Sequence, residues 1–537
     1  MSRRDDKRAG RTGQRSGAAV GSRAFRRGAS RAKKPPARSV RTVPSLGRWR
    51  RPRLADLARA APVAGWVCAA VAILNAFCWS VITPPFQVSD EPSHFAYVKQ
   101  FAEPHELPHS HELRFSREEE QALIDLDEFP VSILPATGAV SSRAQQQRLA
   151  HDLAAAAEEP REGSDAAGVA TSQPPLYYLL ETVPYEIASG SSLLARLTLM
   201  RLLSALFAGV TAMFAFLFVR ETLPATHAAW TAGGLSVAFA PLLGFMSGAV
   251  NPDSLLFAVS AAAFWSLARA FRRGLTYRRA SVIGAITAVG LLTKLNFAGL
   301  FPGVMLGLGI LAWHLARRSR ARAWRAFALG VGIAISPVVP YVLINLTHGT
   351  PTFGLFSGAT SVAAHHGSIF AAFSYVWQVF LPRLPGMTAH FSGISTTRQI
   401  WFDGLVGQYG WVETAFPEWL YELAAVFAVA LVVACARTLF MLRGTARERI
   451  AELVVYAIMS IGLLVLVGAA SYISPLTEQF TEARYLLPLL ALFAAGVGLA
   501  IRAAGRRWEH VLAAVVVLAM IADTIFSQLL VIGRYYS

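Results

Sequence analysis

Charge is scarce in this chain. Only 15% of its 537 residues are Asp, Glu, Lys or Arg, against about 25% in soluble domains. Fully 54% are hydrophobic, and the mean hydropathy is +0.43. That shortage excludes an ordinary soluble protein and points to many membrane passages. Cysteine is scarcer still. Cys68, Cys78 and Cys435 all fall inside apolar segments, which excludes a disulfide framework and a CxxC zinc site. There is no GK[ST] phosphate loop. The run Gly330-Val331-Gly332 invites a dinucleotide reading but lies inside an apolar segment, where small residues serve helix packing. No small-residue cleavage site follows the first apolar run, so the N-terminus does not read as a signal peptide. No sequence repeat is evident.

The charge that exists is segregated. Residues 1–60 hold 19 Lys/Arg and three Asp/Glu, whereas residues 84–197 hold seven Lys/Arg and 18 Asp/Glu. The two regions face different environments. The basic tail has almost no large apolar residue with which to offset its ordering entropy and reads as disordered. Anionic inner-leaflet lipid is its expected partner, at about 1 kcal/mol per basic residue near the surface; nucleic acid is not expected.

A spanning helix needs about 20 mostly apolar residues. The candidates are 62–82, 198–219, 226–247, 254–271, 280–293, 297–316, 326–346, 419–440, 451–471, 485–501 and 510–532. With the tail inside, eleven spans put the arginine clusters at 269–279, 317–325, 437–449 and 502–507 on the cytoplasmic side, in agreement with the positive-inside rule. The fold class is therefore an all-α integral membrane protein. Residues 1–60 are the cytoplasmic tail, 61–346 an N-terminal membrane module including an external loop at 84–197, 347–418 a second external loop, and 419–537 the C-terminal helices. Within the first loop, the stretches beginning EPSHFAYVKQFAE and QPPLYYLLETVPYEI read as helices at the membrane surface, and SIFAAFSYVWQVFL at 368–381 as a third.

Candidate chemistry sits at the external ends of the spans. In PPFQVSDEPSHFAYV, Asp90 and Glu91 open a helix whose free N–H groups and dipole favour their ionised forms. That suits a general base or a metal ligand, and His94 would share a face with Asp90 at i, i+4. Asn251 and Asp253 lie in SGAVNPDSLL, Lys294 and Asn296 in LLTKLNFAGL, Glu482 and Arg484 in TEARYLLPLL, and Arg201 near the start of the second span. Together they bring carboxylates and cations to one side, and a phosphate group at a membrane surface needs such cations. The alternative is that each caps a helix or snorkels. HELPHSHEL, with His105, His109 and His111, has ligand types but loose spacing and reads as solvated loop. Asp523 sits inside the last apolar run, where a carboxylate either marks function or pairs with a neighbouring helix.

PPFQVSDEPSHFAYV, SQPPLYYLL, SGAVNPDSL, LLTKLNF, FDGLVGQYGW and TEARYLLPLLALF, in this order, resemble a family of bacterial predicted multi-pass membrane proteins that is similar to the GT-C superfamily of glycosyltransferases. The resemblance covers about 62–501. The DE-x-x-HF stretch also resembles the DE-x-HF stretch of protein O-mannosyltransferases, with one extra residue. The resemblance implies a GT-C-like bundle with an acidic residue in a large first external loop between surface helices. It implies a sugar taken from a polyprenyl-phosphate donor and attached to an envelope glycan, lipid or protein acceptor on the external face of the cell membrane. On that expectation Asp90, Glu91 and His94 are the catalytic candidates. Gln173, Tyr177, Asn251, Asp253, Lys294, Asn296, Glu482 and Arg484 are the substrate-binding candidates. Asp90 and Glu91 are also the metal candidates, should a divalent cation (Mg or Mn) take part. The rival readings are a transporter or flippase of an envelope precursor and a non-catalytic glycan-binding scaffold.

Overall fold

The computed structural model describes residues 62–103, 115–126, 141–156, 170, 173–347, 369–389, 397–473 and 482–536. The tail, the three loop histidines and the greater part of 127–172 lie outside these residues. Nearly everything described is helical, because long apolar stretches satisfy their own backbone groups only as helices where no water is available.

Nine described helices or continuous helical stretches are long and apolar enough to cross a membrane, and the chain is a multi-pass membrane protein. The spans begin with α1 (Val63–Ile82). Between the first two spans lie α2 (Glu91–Ala102), α3 (Arg117–Asp125), α4 (Arg143–Ala156) and α5 (Leu176–Ile187). The second span is α6 (Leu193–Thr222). A bent pair follows, α7 (His227–Ala238) and α8 (Pro241–Ser247), then α9 (Asp253–Arg273), α10 (Tyr277–Thr293) and α11 (Phe297–Ala316). α12 (Arg320–Ile335) and α13 (Val338–Thr347) form one apolar stretch. The later elements are α14 (Ile369–Phe380), α15 (Glu418–Met441), α16 (Ile450–Ile473), a 3₁₀ segment (Ala483–Leu489) running into α17 (Leu490–Ala503), and α18 (Gly505–Tyr536).

Each of the eleven expected segments coincides with helix, but they are not equivalent. The bent pair adds a tenth crossing if taken as one span. The eleventh, expected at 280–293, is α10. Its 17 residues rise about 25 Å, short of a hydrocarbon core of about 30 Å. The 51° bend between α7 and α8 follows from Pro241, which lacks an N–H and pushes Ala240 into an extended conformation. Carbonyls freed at the break are met by other helices. Asn75 of α1 donates to the Ala238 carbonyl at 3.0 Å, Thr524 of α18 donates to the Phe239 carbonyl, and Gln528 of α18 donates to Asn75 at 3.1 Å.

α6 is central, packed by both α1 and α9. Small residues set the close approaches. A Cβ on Gly209 of α6 would meet Ile73 Cγ1 of α1 at 2.6 Å. The α11–α16 pair depends on Gly299 and Gly303, where a Cβ would meet Leu463 Cα at 2.6 Å and Met459 N at 2.7 Å. Gly330 of the glycine-rich run serves the same packing end, lying against Leu308 and the Ala280 carbonyl.

The two ends of the bundle differ. At one end Glu221 pairs with Arg269 at 3.1 Å and Arg273 at 3.2 Å, Arg272 donates to the Glu221 carbonyl, and Arg449 donates to the Thr222 carbonyl at 2.9 Å. Twenty residues back along α6, about 30 Å away, Arg201 marks the other end, where the loops carrying the candidate residues meet. Of the expected surface helices, α5 turns Tyr177, Tyr178, Glu181 and Tyr185 inward and leaves Leu179, Val183 and Ile187 exposed. α14 likewise exposes Phe370 and Phe373 while burying Tyr375 and Gln378. α2 departs from expectation: Glu91 through Val98 are all buried, so it is an internal helix packed beneath α5.

Replacing Gly303 by Val should separate α11 from α16 and lower the melting temperature in detergent, an overpacking cost of about 1–3 kcal/mol. Gly332→Ala, where a Cβ meets nothing within 4 Å, is the matched control and should hold or raise it.

Candidate active site at one end of the bundle

The loop between α1 and α2 is fixed before any chemistry can occur on it. Glu91, fully buried, accepts from Arg201 Nε at 2.8 Å and Nη2 at 2.5 Å, from the Phe86 N–H at 3.0 Å and from the Val250 N–H at 3.0 Å. Arg201 also donates to the carbonyls of Ser80 at 3.1 Å, Thr83 at 2.9 Å and Pro84 at 3.0 Å. Every N–H of the guanidinium is thereby used. The pair closes the C-terminus of α1, holds the loop and seats the start of α2. Phe86 and Asp90 both take positive φ, 62° and 67°, a region costly for an aromatic residue and tolerated best by Asp and Asn.

That turn at Asp90 sends the adjacent carboxylates apart. Asp90 accepts from Arg484 Nη2 at 2.5 Å and, with its side chain 30% exposed, is the accessible acid of the site. Arg484, buried, reaches Glu482 at 3.0 Å and Asp253 at 3.8 Å through Nε, and the Ser89 carbonyl at 3.3 Å through Nη1. Lys294 pairs with Asp253 at 2.8 Å. Both cations lie over the Tyr485 ring, at 5.8 Å for Lys294 and 5.3 Å for Arg484. Asn251 accepts from the Asp253 N–H at 3.0 Å and donates to the Ser89 carbonyl at 3.3 Å. The second loop closes over the same turn. Its hairpin, β1 (Gln408–Tyr409) and β2 (Thr414–Ala415), places the Gly410 carbonyl 3.2 Å from the Ser89 hydroxyl.

The electrostatics set distinct protonation states. Burial pushes the Asp90 carboxyl up, but Arg484, backed by Lys294, outweighs it and holds the group below the usual carboxylate range. Burial pushes Glu482 up to about 7, with Asp90 and Asp253 adding to the shift against Arg484 and Lys294. Burial pushes His94 down to about 3 against the pull of Asp90, so its imidazole is neutral. His94 Nδ1 lies 2.9 Å from the Tyr178 hydroxyl, Tyr178 stacks on Tyr97 at 3.7 Å, and His94 Nε2 is buried without a partner. Tyr178 is therefore His94's side-chain hydrogen-bonding partner.

Asp90, Asn251, Asp253, Lys294, Glu482 and Arg484 thus come together, although nearly 400 residues separate the first from the last. Three expected contributors do not join this cluster. Tyr177 bonds Ser204 at 2.7 Å, and Ser204 donates to the buried Glu181 at 2.9 Å. Gln173 accepts from Tyr97 through its carbonyl at 3.3 Å. Asn296 stands at the start of α11 with no side-chain capping bond. Glu91 is committed to Arg201 and two amides, so Asp90 and Glu91 do not fit a shared divalent cation, and among the described residues no group of three His, Cys, Asp or Glu side chains could hold a metal. Asp523 forms neither a hydrogen bond nor an ion pair among the described residues. Sequence reading missed Gln87, fully buried with both amide atoms unpartnered, and the Tyr178–His94 contact.

One family profile, described as predicted membrane protein (DUF2142), matches residues 74–493. The chain belongs to this family. All six clustered residues of this DUF2142 protein fall inside the matched stretch. No curated protein matches the sequence. Among solved structures, ArnT from Cupriavidus metallidurans in the apo state is similar at 15% identity and a TM-score of 0.41, over 82% of this chain and 60% of that one. The same protein bound to undecaprenyl phosphate is similar at 14% identity and a TM-score of 0.42, over 88% and 77%. The DUF2142 chain thus spans about 60% of the first structure's length. Likeness at this level does not establish a shared activity.

Arg201→Ala leaves Glu91 buried and unpaired, a loss of about 3–5 kcal/mol. The variant should fail to accumulate as monodisperse protein in detergent. Asp90→Asn, at a partly exposed position, should accumulate like wild type on the same gel-filtration measurement.

Proposed function

We propose that this protein is a membrane glycosyltransferase that moves a sugar from a polyprenyl-phosphate donor to a cell-envelope acceptor. The observation that carries the reading is the cluster itself: an accessible, ionised carboxylate on a strained turn, held by one of two buried cations at the membrane-surface end of the bundle. The motif resemblance to GT-C enzymes points the same way.

The chemistry follows from the charges. A phosphate diester docking on Arg484 and Lys294 competes with Asp90 for Arg484. Releasing Asp90 from that cation raises its basicity, which suits it to take the proton of an acceptor hydroxyl as that oxygen attacks the anomeric carbon. The C–O bond to phosphate breaks, the lipid phosphate gains a second negative charge, and Arg484 and Lys294 stabilise it. The sugar ends on the acceptor oxygen and the proton on Asp90. Asp253 and Asn251 hold Lys294 and the Ser89 turn in place for this exchange. The opposite, arginine-rich end, where α1 begins, suits the cytoplasmic face. The N-terminus is then cytoplasmic, the basic tail lies against anionic inner-leaflet lipid, and the site faces outward at the plasma membrane, where a lipid-borne sugar is the available donor.

In a deletion strain, wild-type protein should restore an envelope sugar seen by mass spectrometry. Asp90→Asn at equal membrane abundance should lose that restoration by about 10²–10⁴-fold in rate; equal restoration would remove Asp90 as the base. Lys294→Ala should raise the apparent donor KM, and an unchanged KM would remove its phosphate role.

A further inference from the structure

The ion-pair cluster does not balance. Asp90, Asp253 and Glu482 supply three carboxylates, while Lys294 and Arg484 supply two cations. Glu91 and Arg201 neutralise one another and contribute nothing to this count, and His94 is neutral. Within the three, the acids are unequally served. Asp253 has Lys294 at 2.8 Å and Asp90 has Arg484 at 2.5 Å. Glu482 has no cation of its own and shares the same guanidinium from its Nε side at 3.0 Å; its Oε1, like the carboxylate oxygens of Asp253, is buried with no hydrogen-bond partner. It is the surplus acid, with an oxygen that can carry a proton without breaking an existing contact.

We infer that Glu482 is the proton-carrying residue of the site, taking up a proton when an anionic phosphate headgroup docks on Arg484 and Lys294. The inference rests on the phosphate reading above and adds a linkage to it. Docking a monoanion adds a negative charge to a buried cluster that already holds one in excess. A proton on the least compensated acid removes that excess, so proton and phosphate favour each other's binding. Burial already pushes Glu482 to about 7 before any anion arrives, so a further rise keeps the change within the physiological range.

The groups that set this behaviour come from every side. Asp90 approaches from the loop before α2, Asp253 from α9, Lys294 from the end of α10 and Arg484 from the same segment. On the adjacent turn Asp403 is held by Arg398 at 3.3 Å. α8 carries no ionisable group, and the charged residues of α16 and α17, Glu452 and Arg502, lie at the opposite end.

The test is calorimetric titration of the full-length protein in detergent with farnesyl methyl phosphate, a diester whose single charge does not titrate near neutrality. Two buffers of different ionisation enthalpy report the protons bound. Wild type should take up roughly half a proton or more per ligand at pH 7.5, and its affinity should fall by up to about tenfold per unit as pH rises above 7. Glu482→Gln should bind with no uptake and a flat pH profile. Wild-type binding without uptake and with flat affinity overturns the proposal while leaving the phosphate site standing, as does unchanged uptake in Glu482→Gln. Absence of any wild-type binding overturns the phosphate reading and the proposal together. The wild-type arm decides the matter even if the variant fails to fold.

Discussion

Arg201 directs all five of its N–H groups into the protein, two to Glu91 and three to carbonyls at the end of α1. Glu91 answers with two further backbone amides, one of them from the loop before α9. A buried charge pair is a doubtful source of net stability, but it is severe on alternatives, because either partner alone is left uncompensated in a poor solvent. Four pieces of chain therefore have one permitted arrangement at this end: the last turn of α1, the loop, the start of α2 and the α8–α9 connection. The positive φ of Phe86 and Asp90 is held in place by that arrangement.

Asp90 owes its usefulness to its neighbour. The two carboxylates are adjacent in sequence, yet one is spent on architecture and the other stays partly exposed beside Arg484. The left-handed turn at Asp90 divides them. With Glu91 neutralised internally, the remaining three acids and two cations form a separate set that shares Arg484 between Asp90 and Glu482.

Much of this was legible in the sequence and some was not. The apolar segments announced the helices, because hydrocarbon leaves the backbone no other solution. The polar residues at 251–253, 294 and 482–484 announced the cluster by standing at span ends on one side. What the sequence hid depended on contacts between distant stretches. Arg201 looks like one more cation for the donor, and only its meeting with Glu91 assigns it to the scaffold. Asp90 and His94 stand four apart and the His94 N–H does donate to the Asp90 carbonyl at 3.1 Å, but Asp90 is in a left-handed conformation and the imidazole hydrogen-bonds to Tyr178, a contact that the spacing does not reveal. Gln87 offers no periodic signal in a loop. Glu181 did carry one, a carboxylate inside an aromatic-apolar run, and it lies buried against Ser204. α2 read as a surface helix because its apolar stripe is visible from sequence, whereas the cover supplied by α5 is not.

The break between α7 and α8 bears on how the protein is made. Its two freed carbonyls are satisfied by Asn75 and Thr524, and Gln528 steadies Asn75. Ribosomal synthesis delivers α1 first and α18 after every other described helix. Until residue 524 has entered the membrane, the Phe239 carbonyl lacks its side-chain partner, and an unsatisfied carbonyl in hydrocarbon costs several kcal/mol. The bent pair is thus an open seam for most of the time the chain is being inserted, and arrival of the final helix closes it. A chain ending before α18 would leave the Phe239 carbonyl without the Thr524 hydroxyl and Asn75 without Gln528.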